Sequence, residues 1–241
     1  MAVVQELDKS NERIKKMFAG IAPRYDLMNH VLSANVDRWW RRQTVRRLRI
    51  TSQSPVLDVC TGTGDLAISM AKDLPANVRV LGMDFCSEML DIARVKQTKQ
   101  SIAESKLQFL EADTQVLPLE DSSVQIVTVA FGLRNVNDTR KGLSEMIRVC
   151  EPGGQVVVLE FSKPTVVGLK QMYDWYFRYV LPTIGQTFAK NKESAYAYLP
   201  ESVRRFPCGE ELASLMRQTG LKSVDIIPMT GGIATLYVGV K

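Results

Sequence analysis

Histidine is nearly absent from this chain: His30 is the only one in 241 residues. A catalytic or metal centre built on several imidazoles is therefore excluded. Cysteine is sparse too. Cys60, Cys86, Cys150 and Cys208 are widely scattered and form no C-x-x-C pair. That spacing argues against a zinc site or a disulfide framework and reads as free thiols in a reducing compartment. No apolar run approaches the roughly 18 residues needed to cross a bilayer. The opening MAVVQELDKSNERIKK has no apolar core behind a basic start, so it is not read as a signal peptide. Internal repeats, low-complexity tracts and Pro/Ser-rich linkers are also missing. With 45% hydrophobic and 24% charged residues, the composition is that of an ordinary globular chain with a full core, not of a disordered one.

What the chain does have is a local surplus of positive charge. The formal net charge is +5, concentrated in residues 1–50. Arg38, Arg42, Arg46 and Arg49 share one helical face, while Val36, Trp40, Thr44 and Leu48 share another. Such a helix can lie on anionic lipid or RNA, or simply show arginines to solvent while packing on its other side. The plain solvated face is favoured. RNA is disfavoured because no aromatic-basic platform for single strands accompanies the stripe.

Residues 8–50 read as helices, broken near Ala22-Pro23 and Ser33-Ala34-Asn35. Strands and helices then alternate. Strands are expected at 56–60, 78–83, 107–110, 125–131 and 156–161, and helices at 65–74, 87–98 and 139–149. Alternation of this kind implies an α/β fold with a parallel sheet and crossover helices. The end differs: a helix over 210–219 stops at Gly220, and strands at 224–228 and 235–240 flank Gly231-Gly232 as an antiparallel hairpin. The length fits one domain with elaborations.

The chemistry points to Asp58-Val59-Cys60-Thr61-Gly62-Thr63-Gly64-Asp65, at a strand end and a helix start. Gly62 and Gly64 let the backbone turn sharply and approach a ligand closely. Asp84, about 20 residues on at the second strand's end, can accept both hydrogens of a ribose diol. Asp113, at the third strand's end, can accept a hydrogen bond from an adenine amino group. Open parallel sheets bind ligands outside the carboxyl ends of their strands, so these residues should share one crevice. Gly62-x-Gly64-x-x-Ala67 also satisfies the loose dinucleotide fingerprint, which makes a NAD-dependent dehydrogenase the rival reading. Asp58 and Asp65, on either side of the turn, would crowd a pyrophosphate. They suit a sulfonium and an amino-acid ammonium better. A dehydrogenase also needs a proton relay, and the only Tyr-x-x-x-Lys spacing, Tyr237 to Lys241, lies on a terminal strand.

Several further segments resemble one family. They are Tyr25-Asp26-Leu27-Met28-Asn29, the Thr61–Asp65 turn, Phe131-Gly132-Leu133-Arg134-Asn135-Val136, Arg148-Val149-Cys150-Glu151-Pro152-Gly153-Gly154, Leu159-Glu160-Phe161-Ser162-Lys163-Pro164, Tyr196-x-Tyr198-Leu199-x-Glu201-Ser202 and Arg205-Phe206-Pro207. Together they are similar to the demethylmenaquinone/demethylubiquinol C-methyltransferases of quinone biosynthesis, from about residue 13 to the C-terminus. The resemblance implies a class I methyltransferase fold, a Rossmann-like doubly wound sheet preceded by N-terminal helices. Residues 1–50 would be a helical lid and 51–241 the methyltransferase domain, with a substrate cover inserted at about 164–206. It implies S-adenosyl-L-methionine as cofactor and a polyprenyl quinol as substrate, with no nucleic-acid partner. By position Thr63, Asp84, Asp113 and Thr114 look like the family's cofactor contacts. Ala130 stands where some members have serine, leaving only its backbone to help. Asp37 occupies a place often held by histidine, so that histidine's role does not carry over. Cys60-Thr61 leans toward menaquinone-pathway members, making demethylmenaquinol the first expectation and a ubiquinone-pathway benzoquinol the second.

The implied reaction joins a methyl group to a ring carbon ortho to an ionised hydroxyl. Arg134, just past the fourth strand, is the first candidate to stabilise the oxyanion, and a structural ion pair with Glu160 is its alternative. Asn135 can bind a ring oxygen or cap its loop. Tyr25 can touch the sulfonium or the quinol from the lid, whereas Asp26 reads as a helix cap. His30 has a suitable intrinsic pKa for a base, but packing is the favoured reading. The stripe Met172-Tyr173-x-x-Tyr176-Phe177-x-x-x-Leu181 is either plain core or a wall for an isoprenoid tail. A cytoplasmic location is expected, with peripheral contact at the inner face of the cytoplasmic membrane and a homodimer left open.

Overall fold

The computed structural model describes residues 9–33, 35–164, 166, 168, 171, 173 and 195–241. Helices α1 (Asn11–Leu32) and α2 (Val36–Val45) come first. The alternating body follows as β1 (Val56–Val59), α3 (Asp65–Asp73), β2 (Val80–Asp84), α4 (Ser87–Lys99), β3 (Leu107–Glu111), β4 (Val124–Ala130), α5 (Thr139–Val149) and β5 (Cys150–Phe161). Helices α6 (Ala195–Arg205) and α7 (Glu210–Gln218) and strands β6 (Ser223–Met229) and β7 (Ala234–Val240) complete it.

Seven strands form one sheet in the order β3-β2-β1-β4-β5-β7-β6. The first five run parallel, and β7 pairs antiparallel with both β5 and β6, so the expected terminal hairpin is present. Successive side chains along a strand face opposite ways, and both faces are covered. Leu57, Val59, Val127, Val129, Val156 and Val158 pack with α5 and α7 through Leu143, Met146, Leu212 and Met216. Val56, Ile126, Val157 and Leu159 pack with α2, α3 and α4 through Trp40, Leu66, Met70 and Leu90. Burial on both faces is why apolar residues fill most positions of β1 and β4 without alternation, with Asp58, Gln125 and Thr128 the polar exceptions.

Three local readings are corrected. The expected break at Ala22-Pro23 does not occur, and α1 runs through Pro23. Proline there removes its own N–H bond and crowds the carbonyl one turn back, but Ala22 is buried with Cys86 and Met89, which holds the helix against α4. Helix α2 ends at Val45, so Arg49 lies beyond the helical stripe. The strand expected at 156–161 begins earlier, at Cys150, with Pro152-Gly153-Gly154 inside it as an irregularity. There the pairing with β4 shifts register between Val124 and Ile126, and Gly153 takes φ +81°. The break at residues 33–35 is found, with Asn35 at φ +62°.

Among the described residues no helix is long and apolar enough to cross a membrane. Most of the expected aromatic wall at 172–188, including Tyr176, Phe177 and Leu181, lies outside the described residues.

Candidate functional site

Chain order reverses across the β1–β4 pair, and the carboxyl ends of these two strands open a crevice. Two of the six described non-glycine residues with left-handed backbone lie there. Cys60 (φ +49°) after β1 and Phe131 (φ +57°) after β4 are left-handed although neither is glycine. The two loops touch so closely that a Cβ on Gly132 would sit 2.4 Å from that of Cys60. Gly64 (φ +80°) leads into α3, where a Cβ would lie 2.7 Å from the Phe109 ring. Gly62 (φ +56°) is different: a Cβ there would meet nothing within 4 Å. Its missing side chain leaves open space in the crevice wall.

The crevice encloses about 800 Å³ counted out to solvent. It brings together Asp58, Gly62, Thr63, Asp84, Asp113, Thr114 and Ala130 with Tyr25 and Asn135. Of the residues expected from the sequence, only Gly64 and Arg134 do not line it.

Asp84 accepts the N–H groups of Gly62 (2.8 Å) and Cys86 (2.9 Å), which aims its carboxylate at the glycine turn. Burial pushes its pKa up to about 6 against these backbone hydrogen bonds and one from Phe85. Asp58 accepts hydroxyls from Thr61 (2.6 Å) and Thr128 (2.7 Å), and burial likewise raises it to about 6. Burial opposes the charge on Asp65 as well, but Arg41 and Lys96 outweigh it and hold this carboxyl below its ordinary value. The crevice is therefore rimmed by carboxylates ionised at neutral pH. Asp113 accepts hydrogen bonds from Asn11 of α1 (2.7 Å) and from the Gln115 backbone (2.9 Å). Thr114 lies 3.3 Å from the Cys60 sulfur.

Helix α1 is fastened over this rim by polar contacts that sequence reasoning missed. Asn11 meets Asp113, Lys15 meets Glu111 at 3.0 Å, and Asp26 accepts from Thr63 and, at 2.7 Å, from Lys96. Lys96 also pairs with Asp65. Asp26 therefore does not cap a helix; it sits inside α1 and ties it to the turn. The Thr63 hydroxyl is committed to that tie. Arg41 was also missed, although the i,i+4 spacing of Asp37 and Arg41 was a readable signal. Its Nη1 pairs with Asp37, and its Nη2 lies 3.9 Å from Asp65.

Arg134 is 5% exposed and faces Glu160, with Nη1 2.9 Å from Oε1, and it also donates to the Phe131 carbonyl. The ion pair that stood as the alternative is the arrangement found. Next to it, Asn135 lines the crevice, and its buried Oδ1 has no hydrogen-bond partner. Tyr25 is partly buried, and burial raises its hydroxyl pKa above the ordinary value, which keeps it a donor. His30 Nδ1 lies 2.9 Å from Asp37 Oδ2, outside the crevice lining. The donor atoms of His30, Asp37 and Asp65 fall within 4.8 Å of one another, but the Arg41 guanidinium already supplies positive charge to both carboxylates.

The family model for the ubiE/COQ5 methyltransferase family matches residues 6–241. The chain belongs to that family. This methyltransferase is 46% identical over 235 residues to the ubiquinone/menaquinone biosynthesis C-methyltransferase UbiE of Geobacter sp. (strain M21), covering 98% of this chain and 99% of the relative. It is 39% identical over 230 residues to the demethylmenaquinone methyltransferase of Bacillus cereus (strain B4264), covering 95% and 96%. Among solved structures, a SAM-dependent methyltransferase from Aquifex aeolicus superposes with TM-score 0.61 at 17% identity, over 97% of this chain and 98% of that one. One from Thermotoga maritima gives 0.64 at 18%, over 95% and 99%. At those identities the structural likeness establishes the fold.

Proposed function

We propose that this methyltransferase carries the methyl group of S-adenosylmethionine to a ring carbon of a polyprenyl quinol, demethylmenaquinol first and a ubiquinone-pathway benzoquinol second. The observation that carries the reading is the carboxylate-rimmed glycine bend, in a chain similar end to end to proteins named for that chemistry. The residues present fit the cofactor. Gly62 leaves room for close approach, Asp84 is aimed to receive a ribose diol, and Asp113 lies where an adenine amino group can donate. Thr114 and the Ala130 backbone complete the wall, and Asp58 and Asp65 suit positive groups. When bound, the cofactor supplies an electrophilic methyl group.

The chain's own residues do the rest. Asn135 offers its unpartnered Oδ1 to a ring hydroxyl. Tyr25 offers its hydroxyl to the substrate, and Phe131 gives the crevice an apolar face backed by the Trp40 and Phe161 rings, with centroids 4.5–6.2 Å apart. Residues 1–50 act as the lid, supported by the ties from α1 to Glu111 and Asp113 at the end of β3 and to Lys96 of α4. Arg134 acts behind the wall and fixes the Phe131–Asn135 loop through Glu160. Arg38, Arg42, Arg46, Arg49 and Trp39 are all exposed, which suits contact with anionic lipid where a prenylated substrate resides.

Tritiated S-adenosylmethionine with a short-chain demethylmenaquinol tests the reading. Label should enter the quinol, and faster on vesicles containing anionic lipid than on neutral ones. Label entering RNA and not quinol would contradict it. A second expectation concerns pH. The cofactor's cations and hydroxyls bind ionised carboxylates, and Asp58 and Asp84 have both been raised to about 6. Affinity should be flat above about pH 7 and fall as pH drops through 6, by up to about 100-fold per unit once both groups protonate. Calorimetry between pH 5 and 8 measures this, and a constant affinity across that range would refute it.

A further inference from the structure

Among the described residues, the crevice is lined by four aspartates, Asp58, Asp65, Asp84 and Asp113, but by one cationic side chain, Arg41. A cofactor with an amino-acid end brings a sulfonium and an ammonium, which the aspartates suit, and also a carboxylate, which they repel. Among the described lining residues, only Arg41 brings the positive charge that matches that carboxylate. Resting on the cofactor reading above, we propose that Arg41 is the seat of the cofactor's carboxylate.

The geometry prepares Arg41 for this task. Its side chain is 11% exposed, so a contact there is poorly screened by water. Nη1 is pinned by Asp37, which is 3% exposed and is itself held by Ser33 Oγ at 2.7 Å and His30 Nδ1 at 2.9 Å. The guanidinium plane is steadied from the other side by the Phe131 ring, 5.6 Å away. Asp65 shares the charge of Arg41 with Lys96 but takes no hydrogen bond from the second nitrogen: it pairs directly with Lys96 and lies 3.9 Å from Arg41 Nη2, beyond hydrogen-bond reach. Nη2 is thus left at the crevice with a fixed orientation, and a planar fork held in place loses little entropy on binding a carboxylate. Asp37 is then a positioning residue, acting through Arg41.

The test compares two ligands that differ in one group. S-Adenosylhomocysteine carries the carboxylate, and S-adenosyl-3-thiopropylamine is the same molecule without it. Calorimetry on the unaltered protein should favour the first by about 10- to 100-fold, the range for a charge-assisted contact. Arg41→Met should bring that ratio close to one by weakening the first ligand alone. Arg41→Lys should retain part of it, and Asp37→Asn should lower it less than Arg41→Met does. Equal weakening of both ligands by Arg41→Met would reduce Arg41 to a structural role and overturn the proposal. An unchanged ratio with lost turnover would overturn it in favour of a contact with the substrate oxygen. If the unaltered protein binds neither ligand, the cofactor reading itself fails; if it binds both equally, only the assignment of Arg41 fails.

Discussion

Asp84→Asn should raise the dissociation constant for S-adenosylmethionine by about 100-fold without unfolding the protein. The carboxylate has two roles: it accepts the N–H groups of Gly62 and Cys86, and it presents its remaining lone pairs to the ribose diol. An amide keeps one acceptor atom and turns a donor toward whichever partner faces the other position. The variant loses the charge-assisted character of the contacts with the sugar, worth roughly 1.5–3 kcal/mol each, and about 1.4 kcal/mol is a factor of ten in affinity. Stability should move the other way. A carboxyl raised to about 6 binds its proton more tightly folded than unfolded, so the apo protein loses stability as pH rises from about 4 through 6. The amide of the variant does not titrate, and its apo melting temperature at pH 8 should hold or rise. Calorimetry and thermal melting of one preparation separate the two effects. A dissociation constant within about threefold of the unaltered protein, less than 1 kcal/mol, would remove Asp84 from the cofactor site.

The Arg134–Glu160 pair should give the largest change in stability. Glu160 is 1% exposed and Arg134 5%, so removing either leaves a buried charge without its partner. Such losses cost about 3–5 kcal/mol. At roughly 2–4 °C per kcal/mol for a chain of this size, Arg134→Met or Glu160→Gln alone should lower the melting temperature by about 10 °C. Removing both charges in Arg134→Met/Glu160→Gln should restore most of it. Turnover distinguishes the roles open to Arg134. If it works by holding the Phe131–Asn135 loop, methyl transfer by the double variant should recover along with stability. Turnover still about 100-fold down in a re-stabilised double variant, with cofactor affinity intact, would return the guanidinium to the substrate oxyanion, as the sequence first suggested.

The contrast between these two residues marks what the sequence could tell. Asp84 was legible because its place depends on local features: a buried strand, its end, and the distance from a glycine turn. The sheet was legible for the same reason, since apolar runs buried on both faces alternate with helices. Arg134 was legible only as two alternatives, one of them the Glu160 pair 26 residues further on, because it sits in a short turn, where side-chain direction depends on what waits nearby. The ties of α1 were illegible on the same ground: Asp26 and Lys96 are 70 residues apart, and Asn11 and Asp113 are 102 apart. Pro23 misled because a local helix-breaking rule was outweighed by packing of the flanking residues on α4. Arg41 was overlooked beside a more conspicuous arginine stripe, although the Asp37 spacing marked it.

Which ligand the crevice accepts decides the assignment of the site. Titration calorimetry of the folded, unaltered protein at about pH 7.5 or above, well over the raised carboxylates, measures this directly, with S-adenosylmethionine in one run and NAD in another. Stoichiometric heat with the sulfonium ligand and none with the dinucleotide is the predicted result. Tight binding of NAD with no response to S-adenosylmethionine would contradict it.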